Sequence, residues 1–154
     1  MIEVKPNLFV GNQADCLNFN GAICHCNKDP HHRAFVGYTG RALPKDHPEY
    51  LYAVRGNEIA LNMVDVDNPI YFSESMVNAA LDFIRGSLIN GLRVLVHCNQ
   101  GESRGPSVAM LSMRNELPDS FEEAEVEFRK LYPAYNPKNG IREYLRMHWG
   151  ERGR

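Results

Sequence analysis

The chain lacks a long apolar run, an excess of charge and internal repetition, and each lack narrows what it can be. No stretch approaches the roughly 18 consecutive apolar residues that a membrane span needs, so neither a crossing helix nor a membrane partner is expected. Lysine and arginine number 17 against 19 acidic residues, a net charge of −2. That balance gives no broad basic surface and argues against nucleic acid as a partner, although a local basic pocket needs no such excess. No repeat, low-complexity tract or dividing linker is present. Cysteine is sparse, at positions 16, 24, 26 and 98. What remains is 154 residues with an ordinary hydrophobic share of 44 %. This length predicts one domain over residues 1–154, large enough for a real core.

The chemistry gathers in one stretch. Val94, Leu95 and Val96 form an apolar run that predicts a buried strand, and His97 and Cys98 follow it. Asn99, Gln100, Gly101, Glu102 and Ser103 separate Cys98 from Arg104. A helix is expected from Pro106 through Val108, Met110 and Leu111, ending near Glu116. A strand, a tight polar loop and a helix N-terminus form an anion site, because loop N–H groups and the helix dipole converge there. The field that binds phosphate also favours a thiolate over a thiol. Arg104 adds a planar fork that can hold two phosphate oxygens.

These residues resemble the cysteine-dependent protein tyrosine phosphatases, and within them the small dual-specificity branch. The branch motif reads His-Cys-x-x-Gly-x-x-Arg followed by Ser or Thr. His97, Cys98, Gly101 and Arg104 match it, and Ser103 matches many dual-specificity members. Gly105 departs from it, standing where the family has a hydroxyl that helps the thiolate leave in the second step. The resemblance implies an α/β fold with a central mixed, mostly parallel sheet flanked by helices. It also implies that His97 orients the loop and tunes the thiol without acting as a base. Asn7-Leu8-Phe9-Val10-Gly11 resembles the family's opening strand, and a turn near Asn136 and Asn139 resembles one that braces the phosphate loop; Asn139 is carried forward as that support. With a nucleophile that must stay reduced and no leader-like segment, a cytoplasmic location is expected.

Elsewhere the pattern predicts a strand pair within residues 1–12, a short helix over Ala14–Leu17 and a strand at Ala22–Cys24. A hairpin is expected from Leu51–Val54 and Ile59–Val64, and a helix over 73–90 capped by Ser73 or Ser75 and stopped by Gly91. Ser120 with Glu123 fits a capping box opening a helix to about Tyr132, with Phe121, Ala124, Phe128 and Leu131 inside. A last helix carries Ile141, Tyr144 and Leu145, with Trp149 plugging the core at its end.

Residues 25–50 show no period and read as an irregular insertion. They hold His25, His31, His32 and His47, four of the six histidines. Three readings stand: a cleft wall that recognises the phosphorylated group, a solvated insertion, or a metal site from Cys24, Cys26, His31 and His32. The spacing Cys-x-Cys is tighter than usual for zinc, and the expected chemistry needs neither a metal nor a cofactor.

That chemistry needs an acid for the leaving oxygen. Asp65 and Asp67 follow the strand at 59–64, where sites gather in open α/β sheets. Resemblance to the family's acid loop favours Asp67, with Asp65 the alternative. The expected activity is phosphomonoester hydrolysis on phosphotyrosine and phosphoserine or phosphothreonine in proteins, through a phosphocysteine. Alternatives are a small phosphorylated metabolite, nucleotide or RNA end, or a phosphate-binding module with little turnover. Glu102 stands where phosphoinositide phosphatases of the superfamily carry lysine, which argues against an inositol head group.

Overall fold

A computed structural model of the chain describes residues 1–151. Six strands form one sheet: β1 (Ile2–Lys5), β2 (Leu8–Gly11), β3 (Ala22–His25), β4 (Tyr52–Arg55), β5 (Glu58–Leu61) and β6 (Val94–His97). Their spatial order is β1-β2-β6-β3-β5-β4. The four inner strands run parallel, and an antiparallel hairpin partner closes each edge. The expected sheet is thus present, and its mixed character comes from the two edges.

β6 lies between β2 and β3 and is buried along its whole length. Two covered faces explain the unbroken apolar run, since a strand buried on both sides has no polar alternation. Successive side chains still point to opposite faces. Val94 and Val96 join the core with Leu8, Val10, Ala22, Cys24, Ile59 and Leu61. Full burial of each such side chain contributes on the order of 1.5–3 kcal/mol, enough to fix the strand's register. His97 faces the other way, paired in register with His25 of β3 and Gly11 of β2.

Helices α2 (Glu74–Ile89), α3 (Arg104–Ser112), α4 (Phe121–Leu131) and α5 (Asn139–His148) carry most of the remaining core. Ser73 caps α2 by accepting the Met76 N–H, and Ser120 caps α4 by accepting the Glu123 N–H. Gly91 stops the α2 region at φ 77°, a left-handed value that glycine adopts without a Cβ penalty. Trp149 is buried and donates its indole N–H to the Pro118 carbonyl at 3.0 Å. Leu131, expected inside, is instead 40 % exposed, because α4 ends there and turns its last residue outward.

Residues 25–50 depart from a simple loop. A turn of π-type helix at Lys28–His32 runs into a short helix α1 (Arg33–Val36), which Gly37 ends at φ 90°. Phe35 of α1 rests edge-on against His25, so this segment covers the sheet face opposite α3. The apolar residues of these turns, Ala34, Phe35 and Val36, are consecutive and so give no helical period. Among the described residues, no helix is long and apolar enough to cross a membrane.

Candidate active site

The loop after β6 is held by main-chain and side-chain contacts from three directions. The Gln13 N–H donates to the Asn99 carbonyl at 3.1 Å, and the Asn136 N–H donates to the Glu102 carbonyl at 2.7 Å. The Tyr132 hydroxyl donates to the Gly101 carbonyl at 2.5 Å. Burial, then the electrostatic influence of Cys98, pushes Tyr132 up to about 12, so the hydroxyl stays a neutral donor. Gly101 sits at φ 75°, and a Cβ there would meet the Gly11 carbonyl oxygen and the Tyr132 hydroxyl at 3.0 Å. Glycine is therefore required by both conformation and space.

α3 begins at Arg104, two residues earlier than Pro106 suggested. Proline is compatible with a first helical turn, where its missing N–H has no intrahelical partner to serve. The early start brings the helix N-terminus right up to the loop. Gly105 makes this possible: a Cβ at 105 would lie 2.8 Å from the His97 carbonyl carbon and 3.0 Å from the Cys98 nitrogen. The departure from the family pattern is thus a packing requirement of this chain, and a serine at 105 needs a backbone shift.

A cleft of about 250 Å³ lies over the loop, lined by Cys98, Gln100, Glu102, Ser103, Arg104, Asp65, Asn136 and Lys138. A second cleft, about 430 Å³, lies between α2 and the end of α3 and contains none of the motif. Arg104 donates from Nη1 to the Met63 carbonyl at 3.0 Å, which fixes the guanidinium plane. Its Nε–H is buried without a hydrogen-bond partner, a donor that a phosphate oxygen would satisfy.

The structure separates the two candidate acids. Asp65 lines the cleft, and its Oδ1 accepts the Ser103 hydroxyl at 3.0 Å. Ser103 Oγ in turn accepts the Lys138 N–H at 2.9 Å. Asp67, the carboxylate favoured by resemblance, is exposed and is not part of the cleft lining. The reason lies in α5: a Cβ on Gly140 would fall 2.1 Å from the Val66 carbonyl oxygen and 3.0 Å from the Asp67 carbonyl carbon. The Val66–Asp67 backbone is therefore seated on the start of α5, which carries Asp67 past the cleft. Asn139 is likewise exposed at the first position of α5. The bracing expected of it comes from the main chain of Asn136 and Lys138.

Behind the loop lies a second set of polar groups that sequence reasoning did not assemble. His97 is fully buried, with Nδ1 3.1 Å from the Cys98 carbonyl and Nε2 2.6 Å from Nδ1 of His25. His25 places Nε2 2.6 Å from Glu58 Oε1 and stacks on His31 with ring centroids 3.7 Å apart. Burial, with His31 beside it, pushes His25 down to about 3; burial and the adjacent His25 push His97 down to about 3. Asn27, also fully buried, donates to Asn99 Oδ1 at 2.6 Å and lies 3.1 Å from His31 Nδ1. This amide ties the histidines to the phosphate loop.

The metal quartet weighed from sequence does not form. Cys24 and Cys26 have sulfurs 3.8 Å apart inside the sheet, while His32 is engaged by the Tyr38 hydroxyl and the Glu49 carbonyl. No residue of the 25–50 segment lines the cleft in this conformation.

No family model and no curated protein sequence matches the chain. Solved structures do. DUSP15 superposes with a TM-score of 0.70 at 18 % identity, covering 97 % of this chain and 86 % of that one. Human DUSP28 gives 0.60 at 18 % identity, covering 98 % and 96 %. A human tyrosine phosphatase-like serine/threonine/tyrosine-interacting protein gives 0.62 at 20 % identity, covering 96 % and 94 %. With strand order, loop and helix in place along nearly its whole length, the chain has the fold of the dual-specificity phosphatases.

Proposed function

We propose that the chain is a cysteine-dependent phosphatase that hydrolyses phosphomonoesters through a phosphocysteine. The observation that carries this reading is the joint placement of Cys98 and Arg104 in one cleft, with the buried Arg104 Nε–H unpaired. A structural cysteine needs no such donor beside it. Cys98 attacks phosphorus as thiolate, and the phosphoester oxygen leaves. The N–H groups of the loop, the start of α3 and Arg104 hold the equatorial oxygens as charge develops. Water then attacks the phosphocysteine, releasing inorganic phosphate and regenerating the thiolate.

The leaving oxygen takes its proton from the 62–68 loop. Asp65 has the better position, since its Oδ1 is held by Ser103 and its second oxygen is left for the leaving group. Asp67 fills the role only if the loop lifts from Gly140. Hydrolysis of aryl phosphates with a graded series of leaving groups separates the two. Removing the true acid slows a poor leaving group far more than a good one, and removing the other carboxylate does not change that slope.

The lining supports a reading of the substrate class. Glu102 and Lys138 are exposed and line the same cleft, so its rim is mixed in charge and does not suit a polyanionic head group. A cleft of about 250 Å³ accommodates a phosphorylated side chain of a protein, and this is the substrate class we assign. Comparison of phosphotyrosine and phosphothreonine peptides with nucleotides and sugar phosphates tests it. Preference for the small molecules would contradict the assignment while leaving the mechanism intact.

A further inference from the structure

We propose that Cys16, His25, His31 and His97 form a binding site for a divalent transition-metal ion, zinc by its chemistry, behind the phosphate loop. One ligand atom from each residue lies within 4.8 Å of every other. The separations include 3.9 Å from Cys16 Sγ to His31 Nε2 and 2.6 Å from His25 Nδ1 to His97 Nε2. Tetrahedral zinc, with bonds of about 2.0–2.3 Å to nitrogen and sulfur, places its ligand atoms roughly 3.3–3.8 Å apart. Small side-chain rotations therefore reach the required geometry.

The second observation is independent of that spacing. Each histidine turns one ring nitrogen outward to an oxygen acceptor and the other inward to the cluster. His25 Nε2 meets the Glu58 carboxylate, His31 Nδ1 the Asn27 amide oxygen, and His97 Nδ1 the Cys98 carbonyl. Each outer nitrogen must carry a proton to make its bond, which leaves the inner nitrogen as a bare lone pair if the ring is neutral. This is how ligand histidines are oriented in metal sites, with a carboxylate, amide or carbonyl fixing the tautomer.

The proton count sharpens the point. Glu58, the His25–His97 contact and the Cys98 carbonyl together require three protons on two rings. Two neutral rings hold two. The inner nitrogens of His25 and His97 then face each other at 2.6 Å, where a positive charge, a shared proton or a metal ion, answers their repulsion. In this buried place a bound metal ion serves that need, with Cys16 as thiolate offsetting its charge.

All four ligands come from the protein, which is the arrangement of a structural site. The ion would join the turn carrying Cys16, the end of β3, the Lys28–His32 turn and the end of β6. Cys16 and His31 are half-buried and offer the route in, while His25 and His97 are buried. Two of the insertion's histidines, His25 and His31, thereby acquire a role: they anchor the sheet face behind Cys98.

The test is metal content and cobalt spectroscopy on the full chain, independent of phosphatase activity. Protein grown with added zinc is assayed by elemental analysis as wild type, Cys16→Ser, His31→Ala and Cys98→Ser. We expect one zinc per chain in wild type and in Cys98→Ser, and reduced zinc in Cys16→Ser and His31→Ala. Cobalt added to chelator-treated wild type should give visible bands of a four-coordinate ion and a near-ultraviolet thiolate-to-cobalt band. Cys16→Ser should lose the thiolate band, and Cys98→Ser should keep it. Zinc no higher in wild type than in His31→Ala, with no cobalt bands, would overturn the proposal. Loss of metal in Cys98→Ser with retention in Cys16→Ser would overturn it equally, placing the ion in the phosphate loop.

Discussion

His97 and Cys98 are neighbours in the chain but belong to two different environments. Cys98 opens into a cleft lined by charged and polar groups and backed by a helix N-terminus. His97 enters a buried cluster of imidazoles on the opposite side of the sheet. The alternation of a strand does this without any special device. The cleft takes its nucleophile and its arginine from one contiguous segment, whereas the cluster joins residues 16–31 to His97, across more than 60 residues of chain. The Asn27 side chain links the cluster to the loop after β6, through His31 and through Asn99.

Substitutions on either side should therefore separate cleanly. The largest effect is expected for Cys98→Ser, which should reduce aryl phosphate hydrolysis to background while leaving thermal stability near wild type; steady-state kinetics and a melting curve check it. Next comes Arg104→Lys, which keeps charge but loses the fork; a loss of roughly 10²–10³-fold in kcat is expected, the usual cost of a transition-state donor. Asp65→Asn should cost roughly 10²–10⁴-fold on a poor leaving group and much less on a good one. If Asp67→Asn shows that signature instead, the loop closes in a way that this conformation does not show.

Two smaller effects probe the packing between the regions. Gly105→Ala forces a Cβ against the His97 and Cys98 backbone and should destabilise by about 1–3 kcal/mol, read by denaturant unfolding. Tyr132→Phe removes the hydrogen bond to Gly101 and should cost about 1 kcal/mol, with kcat lowered little. If Tyr132→Phe abolished turnover while stability held, the hydroxyl would have a role in the cleft beyond bracing.

The contrast also explains what could be read from the chain. β6, the phosphate loop and α3 are consecutive, so their apolar run, polar loop and small residues showed the unit directly. The caps at Ser73 and Ser120 were equally local. The choice between Asp65 and Asp67 was not, because it depends on Gly140 meeting the Val66–Asp67 backbone from over 70 residues away. The turn near Asn136 and Asn139 resembles a loop brace in the sequence, and Asn136 and Lys138 supply it through main-chain N–H groups, which no residue type announces. The cluster was hidden for a further reason. Its core is the parallel register that sets His25 beside His97, and a parallel pairing across a long connection leaves no turn or spacing signature. The many histidines of residues 25–50 hinted at a site, yet the wrong cysteines stood closest in sequence.

The most direct test of the account is rapid-quench reaction of the full chain with an aryl phosphate, followed by mass analysis of the peptide containing Cys98. The account predicts a transient phosphoryl adduct on Cys98 that forms with the first turnover, decays as phosphate is released, and is missing in Cys98→Ser. Product formation that continues in Cys98→Ser, or a phosphoryl group found on another residue, would contradict it.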